Sequence, residues 1–373
     1  MPGLALPPFP DNVPTHPLLV VDYELIKAGN TQEIDKLWNA ATELGFWYLK
    51  NHGADQEVNG MFDMGAETMK LPMEEKMKFE QGDAGQSFGY KAAGANATDE
   101  YGNLDTVEFI NVSKDDALAY PEVVHRTYPP TVNDRMESTI TPFVRKSLEV
   151  NNTILAILEK KLGLPEGALL DIHSDKIPSC SEARCIRNPP VRANNNLLDS
   201  EVPSSGGGGG AEGDKVALGA HTDFGSLSFL HNRLGGLQVL VPESESWQYV
   251  RPLPGHAICN VGDALTLFSG GILRSNLHRV VPPPGAQGAY ERWSLVFFTR
   301  PGNSMNLSVL KEKSGVINEA FGKLEREMQV KYEPNVTASE WFARRVKNQR
   351  IKNRTGPETW RASRGMEHKP EAL

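Results

Sequence analysis

The 373-residue sequence is poor in cysteine and in net positive charge, and it has no long apolar run. Its three cysteines, Cys180, Cys185 and Cys259, cannot pair without a leftover. Cys180-x4-Cys185 also lacks the second cysteine pair that a zinc site would need. A reducing, cytoplasmic setting is the simpler expectation. Lys and Arg number 39 against 47 Asp and Glu, a formal charge of −8, so no basic face for nucleic acid is expected. No stretch approaches the roughly 18 apolar residues of a membrane span, and the proline-rich residues 1–14 lack the charged start and apolar run of a leader. No repeat at solenoid period is present. What remains, 39% hydrophobic and 23% charged, is an ordinary globular composition, and the length allows one large domain or two.

The order of patterns along the chain suggests α+β architecture with a mainly β core. Residues 17–22 form a short β-branched run, and Asn30 with Glu33 resembles a capping box that opens a helix. Ile34, Leu37, Trp38, Ala41 and Leu44 recur at helical spacing, Gly45 sits where a C-cap would, and residues 46–49 read as a buried strand closed by a turn at His52-Gly53. Helices are expected over 56–70 and 134–162, with Pro142 starting or kinking the second. Residues 1–175 are thus expected to be mostly helical. Residues 194–214, with three asparagines and a run of five glycines at 206–210, cannot bury apolar surface and are expected to be a mobile insert. Short apolar runs then follow at 216–220, 226–230, 236–241, 247–250, 257–261, 265–268, 277–281 and 294–299, a rhythm that suggests a sandwich or jelly roll over 176–310. Residues 311–373 return to helix. Thr337 and Glu340 form a second capping box, Trp341, Phe342 and Val346 supply the apolar face, and Arg344 to Arg354 reads as a solvated basic face. That helix is expected to close over the barrel mouth or to support a homodimer; a monomer is equally consistent with the sequence.

His221-Thr222-Asp223 opens the β-rich half, and residues two apart on a strand share a face, so both side chains can meet one ion. A second histidine would complete a two-His-one-carboxylate set, which leaves positions open on Fe(II), and His278 on a predicted strand is the best candidate. The pattern alone is common, and a histidine among apolar residues is usually structural. Arg292-Trp293-Ser294 follows at the start of another strand. An arginine and a serine two apart present a forked guanidinium and a hydroxyl on one face, suited to a carboxylate. An ordinary strand-edge ion pair is the competing explanation.

Taken in order, these residues resemble the isopenicillin N synthase-like family of 2-oxoglutarate- and Fe(II)-dependent dioxygenases. The resemblance covers most of the chain. Its N-terminal elements are Gly45-Phe-Trp-Tyr-Leu-Lys-Asn-His-Gly53, Leu71-Pro72 with Glu75-Lys76, and Gly89-Tyr90. Its C-terminal elements are His221-Thr-Asp-Phe-Gly225, Gly236-Leu-Gln-Val239, Asn260-Val-Gly-Asp263, Ser269-Gly-Gly271, Ser275, His278-Arg-Val280 and Arg292-Trp-Ser294. The resemblance implies a double-stranded β-helix with a helical N-terminal region and a C-terminal helix. It implies that His221, Asp223 and His278 ligate iron, that Arg292 and Ser294 hold the distal carboxylate of 2-oxoglutarate, and that no separate protein acid or base is needed. A small organic metabolite, in keeping with specialised metabolism, would be hydroxylated, desaturated or cyclised with O2 as oxidant, releasing succinate and CO2. By analogy with the family, Tyr90, Arg184, Asn188, Phe224 and Phe298 border the pocket, each being equally explained as core packing. Glu108, Arg184 and Arg187 are polar candidates for orienting a charged substrate. Asn188, in Arg184-Cys-Ile-Arg-Asn188-Pro-Pro190, stands where the family often has tyrosine, which implies a wider or differently hydrogen-bonded pocket. The alternatives are an Fe(II) oxidase like isopenicillin N synthase itself that does not use 2-oxoglutarate, a non-catalytic jelly-roll binding protein, and, less favoured, a zinc hydrolase.

Overall fold

A computed structural model describes residues 6–190, 216–242 and 244–364; the glycine-rich insert expected at 194–214 lies outside them. Twelve strands form two sheets. They are β1 (Val20–Asp22), β2 (Phe46–Lys50), β3 (Gly89–Lys91), β4 (Glu108–Ser113), β5 (Glu182–Asn188), β6 (Leu218–His221), β7 (Leu227–Asn232), β8 (Leu237–Val241), β9 (Ser246–Tyr249), β10 (His256–Val261), β11 (His278–Val280) and β12 (Arg292–Thr299). The larger sheet runs β1-β2-β10-β7-β12-β5-β4-β3 and the smaller β6-β11-β8-β9. All pairings are antiparallel except that of β1 with β2. This is the expected jelly roll, with one difference. The N-terminal half is not only helical: β1 to β4 complete both edges of the larger sheet.

Strand alternation gives that sheet two different faces. Leu295 and Phe297 of β12 and Cys185 of β5 are fully buried under the helices Asp55–Lys70 and Thr141–Lys161, in the main hydrophobic cluster. Ser294, Val296 and Phe298, with Arg184 and Ile186, point the other way, into a cavity between the sheets. Pro142 is the second residue of the long helix, directly after the π-helical turn Met136–Ile140, so its missing N–H falls where the π turn passes into the α-helix.

Three local expectations need correction or refinement, and a fourth holds. Residues 265–268 are not a strand but part of the helix Asp263–Phe268. Every residue of that helix is buried, so its apolar run has no period that could distinguish helix from strand. Asn30 caps its helix by accepting from Glu33 N at 3.0 Å, but Glu33 does not reciprocate; its carboxylate accepts from Asp22 N at 2.7 Å and so ties the helix to β1. The Thr337 and Glu340 capping box forms as expected. The basic face at 344–354 is not uniformly solvated: Arg345 is fully buried against Asp263, and Arg350 is buried between Glu80 and Asp83.

Gly45 joins the helix Thr31–Glu43 to β2 in the left-handed region, with φ of +79°, and a Cβ there would lie 2.0 Å from the backbone oxygen of Arg274. Neither the conformation nor the neighbour can yield cheaply. Gly45→Ala is expected to cost about 2 kcal/mol or more, read as a lower urea midpoint at unchanged slope.

Candidate active site

β6 ends on His221 and β11 begins on His278, and the two histidines are cross-strand partners in the ladder, with ring centroids 4.3 Å apart. Asp223 lies just beyond β6. Its Oδ1 is 3.8 Å from His221 Nε2 and 3.6 Å from His278 Nε2. One ligand atom from each residue falls within 4.8 Å of the others, the only such group of three among the described residues.

The remaining polar atoms of this cluster are engaged elsewhere. His221 Nδ1 is 2.7 Å from the carbonyl of Gly219, and His278 Nδ1 is 3.2 Å from that of Asn276. A carbonyl only accepts, so both rings carry a proton on Nδ1, and it is Nε2 of each that faces the cluster. Asp223 Oδ2 accepts from Ser228 Oγ at 2.5 Å and from Asn260 Nδ2 at 2.7 Å, which leaves Oδ1 for the cluster. Burial and the neighbouring His278 bring the His221 imidazole down to about 3, keeping it in its neutral form. Burial alone would raise the Asp223 carboxyl, but the adjoining His278 ring, itself shifted upward by Asp223, and the hydrogen bond from Asn260 outweigh it and hold it below the ordinary carboxylate range. Two imidazole nitrogens and one carboxylate oxygen, each oriented from behind, fit a metal that keeps open positions, as Fe(II) does in a facial triad. Gly219 is required here for space, since a Cβ would lie 1.9 Å from the oxygen of Thr98.

Arg292 opens β12 on the same cavity. Its Nε donates to Gly235 O at 2.7 Å and one terminal nitrogen donates to Ser294 Oγ at 2.6 Å. The side chain is buried, and no carboxylate among the described residues pairs with it. Burial pulls its guanidinium down to about 10. An isolated buried cation with free donors is poorly solvated until an anion arrives, and a forked guanidinium suits a carboxylate.

The cavity between the sheets encloses about 1310 Å³ with its mouth included. Arg184, Phe224 and Phe298 line it, together with Arg292, Ser294 and the three clustered residues. Tyr90 does not. It sits on the opposite face of the sheet, its hydroxyl donating to Glu108 at 2.5 Å beneath the Lys76 ammonium. Glu108 and Arg187 pair on that same outer face, so neither is free to orient a substrate in the cavity. Asn188 also falls short of the lining, because its amide oxygen accepts from Thr106 Oγ1 at 2.7 Å. Sequence reasoning missed Arg300, Val346, Gln349 and Arg364, all of which line the cavity. The last three come from the C-terminal segment, which therefore closes one side of the site.

With this geometry in place, comparisons with known proteins are specific. The family described as non-haem dioxygenase in morphine synthesis, N-terminal, matches residues 18–133, and the 2OG-Fe(II) oxygenase superfamily matches residues 199–301. A 2-oxoglutarate-dependent dioxygenase of Aspergillus fumigatus is 29% identical over 330 residues, covering 82% of this chain and 80% of the relative. Among solved structures, a 2OG-Fe(II) oxygenase family protein of Caulobacter crescentus superposes with a TM-score of 0.67 at 21% identity, over 89% of this chain and 99% of its own. A full-length Neurospora crassa protein solved in complex with alpha-KG and thymine gives 0.66 at 20% identity, over 88% of this chain and 96% of its own.

Proposed function

The chain belongs to the 2-oxoglutarate- and Fe(II)-dependent oxygenases, and from that premise we propose that His221, Asp223 and His278 hold its iron while Arg292 and Ser294 anchor the distal carboxylate of 2-oxoglutarate. The protein is an oxidoreductase that uses Fe(II), 2-oxoglutarate and O2. The observation that carries the ligand assignment is the convergence of two Nε2 atoms and one Oδ1 whose partner atoms are already satisfied. When bound, Fe(II) with 2-oxoglutarate and O2 supplies an oxidant able to take hydrogen from an unactivated carbon, with release of succinate and CO2.

The chain's own residues bind, aim and exclude water. Gly219 and Asn276 fix the imidazole tautomers, and Ser228 with Asn260 orients the carboxylate. Phe46 packs edge-on against His278 at 5.4 Å and gives the cluster an apolar wall. Arg292, already braced by Gly235 and Ser294, offers its remaining donors to the co-substrate without rearrangement. The substrate is a small organic metabolite, a reading supported by the size of the cavity and by the thymine in the Neurospora crassa complex. A place in specialised metabolism is supported by the family description that names morphine synthesis. Cytoplasmic residence is supported by three cysteines that are all unpaired. Among the described residues no helix is long and apolar enough to cross a membrane.

Anaerobic titration of the apo protein with Fe(II) and then 2-oxoglutarate tests the assignment. A weak visible charge-transfer band should appear only when both are present, and Arg292→Ala should abolish it at co-substrate levels that saturate wild type while iron still binds. Loss of one charged anchor of about 1.5–3 kcal/mol corresponds to a ten- to hundredfold weaker co-substrate. Iron uptake without the band in wild type would favour an oxidase that does not use 2-oxoglutarate.

A further inference from the structure

Four guanidinium groups line the cavity, those of Arg184, Arg292, Arg300 and Arg364, and Asp223 is its only lining carboxylate among the described residues. Arg184 and Arg300 share one further acid, Glu182, at 2.8 and 3.1 Å. Four cations therefore face two anions. Loading the site does not remove the imbalance, because Fe(II) brings two positive charges and 2-oxoglutarate two negative ones. Buried charge of one sign without compensation is costly, so the loaded pocket is built for an anion that none of these groups supplies.

Arg364 is the place where that anion fits. It is nine-tenths buried, and no carboxylate among the described residues pairs with it. Its plane is held on three sides. Nε and one terminal nitrogen donate to Ser363 Oγ at 3.0 and 2.8 Å, the other terminal nitrogen donates to Ala220 O at 2.6 Å, and the guanidinium stacks 4.2 Å from the Trp360 ring centroid. A guanidinium has five N–H donors, so these three contacts leave one on each terminal nitrogen, the pair that a carboxylate engages two at a time. Ala220 precedes His221, which puts this fork beside the proposed iron site, and burial brings the group down to about 9. The same cavity carries an apolar patch in which Val107 and Phe109 pack with Ile186 and Val280.

We propose that Arg364 is a specificity-determining residue that binds the carboxylate of an acidic substrate whose apolar body lies against Phe109 and Ile186. The proposal rests on the oxygenase reading of this cavity and narrows its substrate to small carboxylic acids. Arg292 and Arg364 divide the two anions between them, one taking the co-substrate and the other the substrate.

The test compares each acid with its own primary amide, which has nearly the same shape and no charge. Straight-chain and aromatic carboxylic acids of up to about ten carbons, each beside its amide, are titrated into the full-length protein loaded with 2-oxoglutarate and with Zn(II) in place of iron. Binding is followed by saturation-transfer NMR. In wild type the acid that binds best should do so ten- to a hundredfold more tightly than its amide, the range of a charged hydrogen-bonded pair. Arg364→Gln should bring that ratio close to one while leaving amide affinity unchanged, a result that a purely structural role would not give. Arg364→Lys, which keeps the charge but loses the fork, should retain part of the preference, and it replaces the Gln variant if that fails to fold. A wild-type ratio near one, a panel in which no acid binds, or a preference that survives in Arg364→Gln overturns the proposal. So does loss of 2-oxoglutarate binding in Arg364→Gln, since that would make Arg364 a co-substrate residue. Failure of the oxygenase reading shows separately, as absence of the Fe(II) and 2-oxoglutarate band in wild type.

Discussion

Asp223→Ala is expected to lose iron retention and turnover together. The side chain supplies the only anionic donor in the cluster, and its two oxygens have separate tasks. Oδ1 faces both Nε2 atoms, while Oδ2 is fixed by Ser228 and Asn260. Removal takes away the charge that attracts the metal and also the anchor of two buried polar side chains. Loss of an outer-shell partner alone typically costs ten- to a hundredfold in metal affinity, so loss of the ligand should cost more than about a hundredfold. The check has two parts. Metal analysis after desalting should find iron in wild type and none in the variant. Fe(II) added anaerobically should raise the melting temperature of wild type only, because a ligand stabilises the state that binds it. Iron retention with normal succinate release in Asp223→Ala would remove the residue from the site.

The sequence made some of these positions legible because short-range geometry sets them. Two residues apart on a strand is enough to put Arg292 and Ser294 at one place, and the same spacing brings Asp223 beside His221 although Asp223 falls just past the end of β6. What could not be read was which face of a strand looks into the cavity. Tyr90 was expected at the pocket, but β3 pairs with β4 in a register that puts Tyr90 opposite Ile110 on the helical side, while Phe109 looks inward. A single-residue shift would have exchanged the two faces, and nothing local distinguishes the alternatives. The helix Asp263–Phe268 escaped for a related reason, since total burial erases periodicity.

Charged residues posed the opposite difficulty. Arg345 and Arg350 lie in a stretch whose composition reads as solvated, and their burial follows from acids more than 80 positions away, Asp263 for one and Glu80 with Asp83 for the other. Arg364 is placed by the return of the C-terminal segment onto Ala220, 144 positions earlier. Such pairings are properties of the topology and have no local signature. They also explain why the C-terminal segment belongs functionally to the barrel: the helix Ala338–Gln349 contributes Val346 and Gln349 to the cavity wall, and the chain beyond it contributes Arg364.

Arg345→Met should therefore damage both stability and the site. Arg345 is fully buried, ion-paired with Asp263, donates to Thr222 O at 3.2 Å and to Ser363 O at 3.3 Å, and stacks 3.8 Å from the Phe224 ring centroid. One side chain thus joins the C-terminal helix, the residue before Arg364 and the loop that carries Asp223. Asp263 accepts from Thr222 Oγ1 at 2.9 Å, so the pair also braces the residue between the two proposed ligands. Removing one partner of a buried pair costs about 3–5 kcal/mol, because the other charge is left uncompensated, whereas replacing both by uncharged groups is often close to neutral. Chemical denaturation should show that loss for Arg345→Met and a smaller one for Arg345→Met with Asp263→Asn. If the double variant is no more stable than the single one, the ion pair is not what holds the segment. Restored stability should not restore the site, since Thr222 and Ser363 still lose their donor. The double variant is expected to fold and bind iron while showing a weakened preference for acids over amides, separating what Arg345 does for folding from what it does for the position of Arg364.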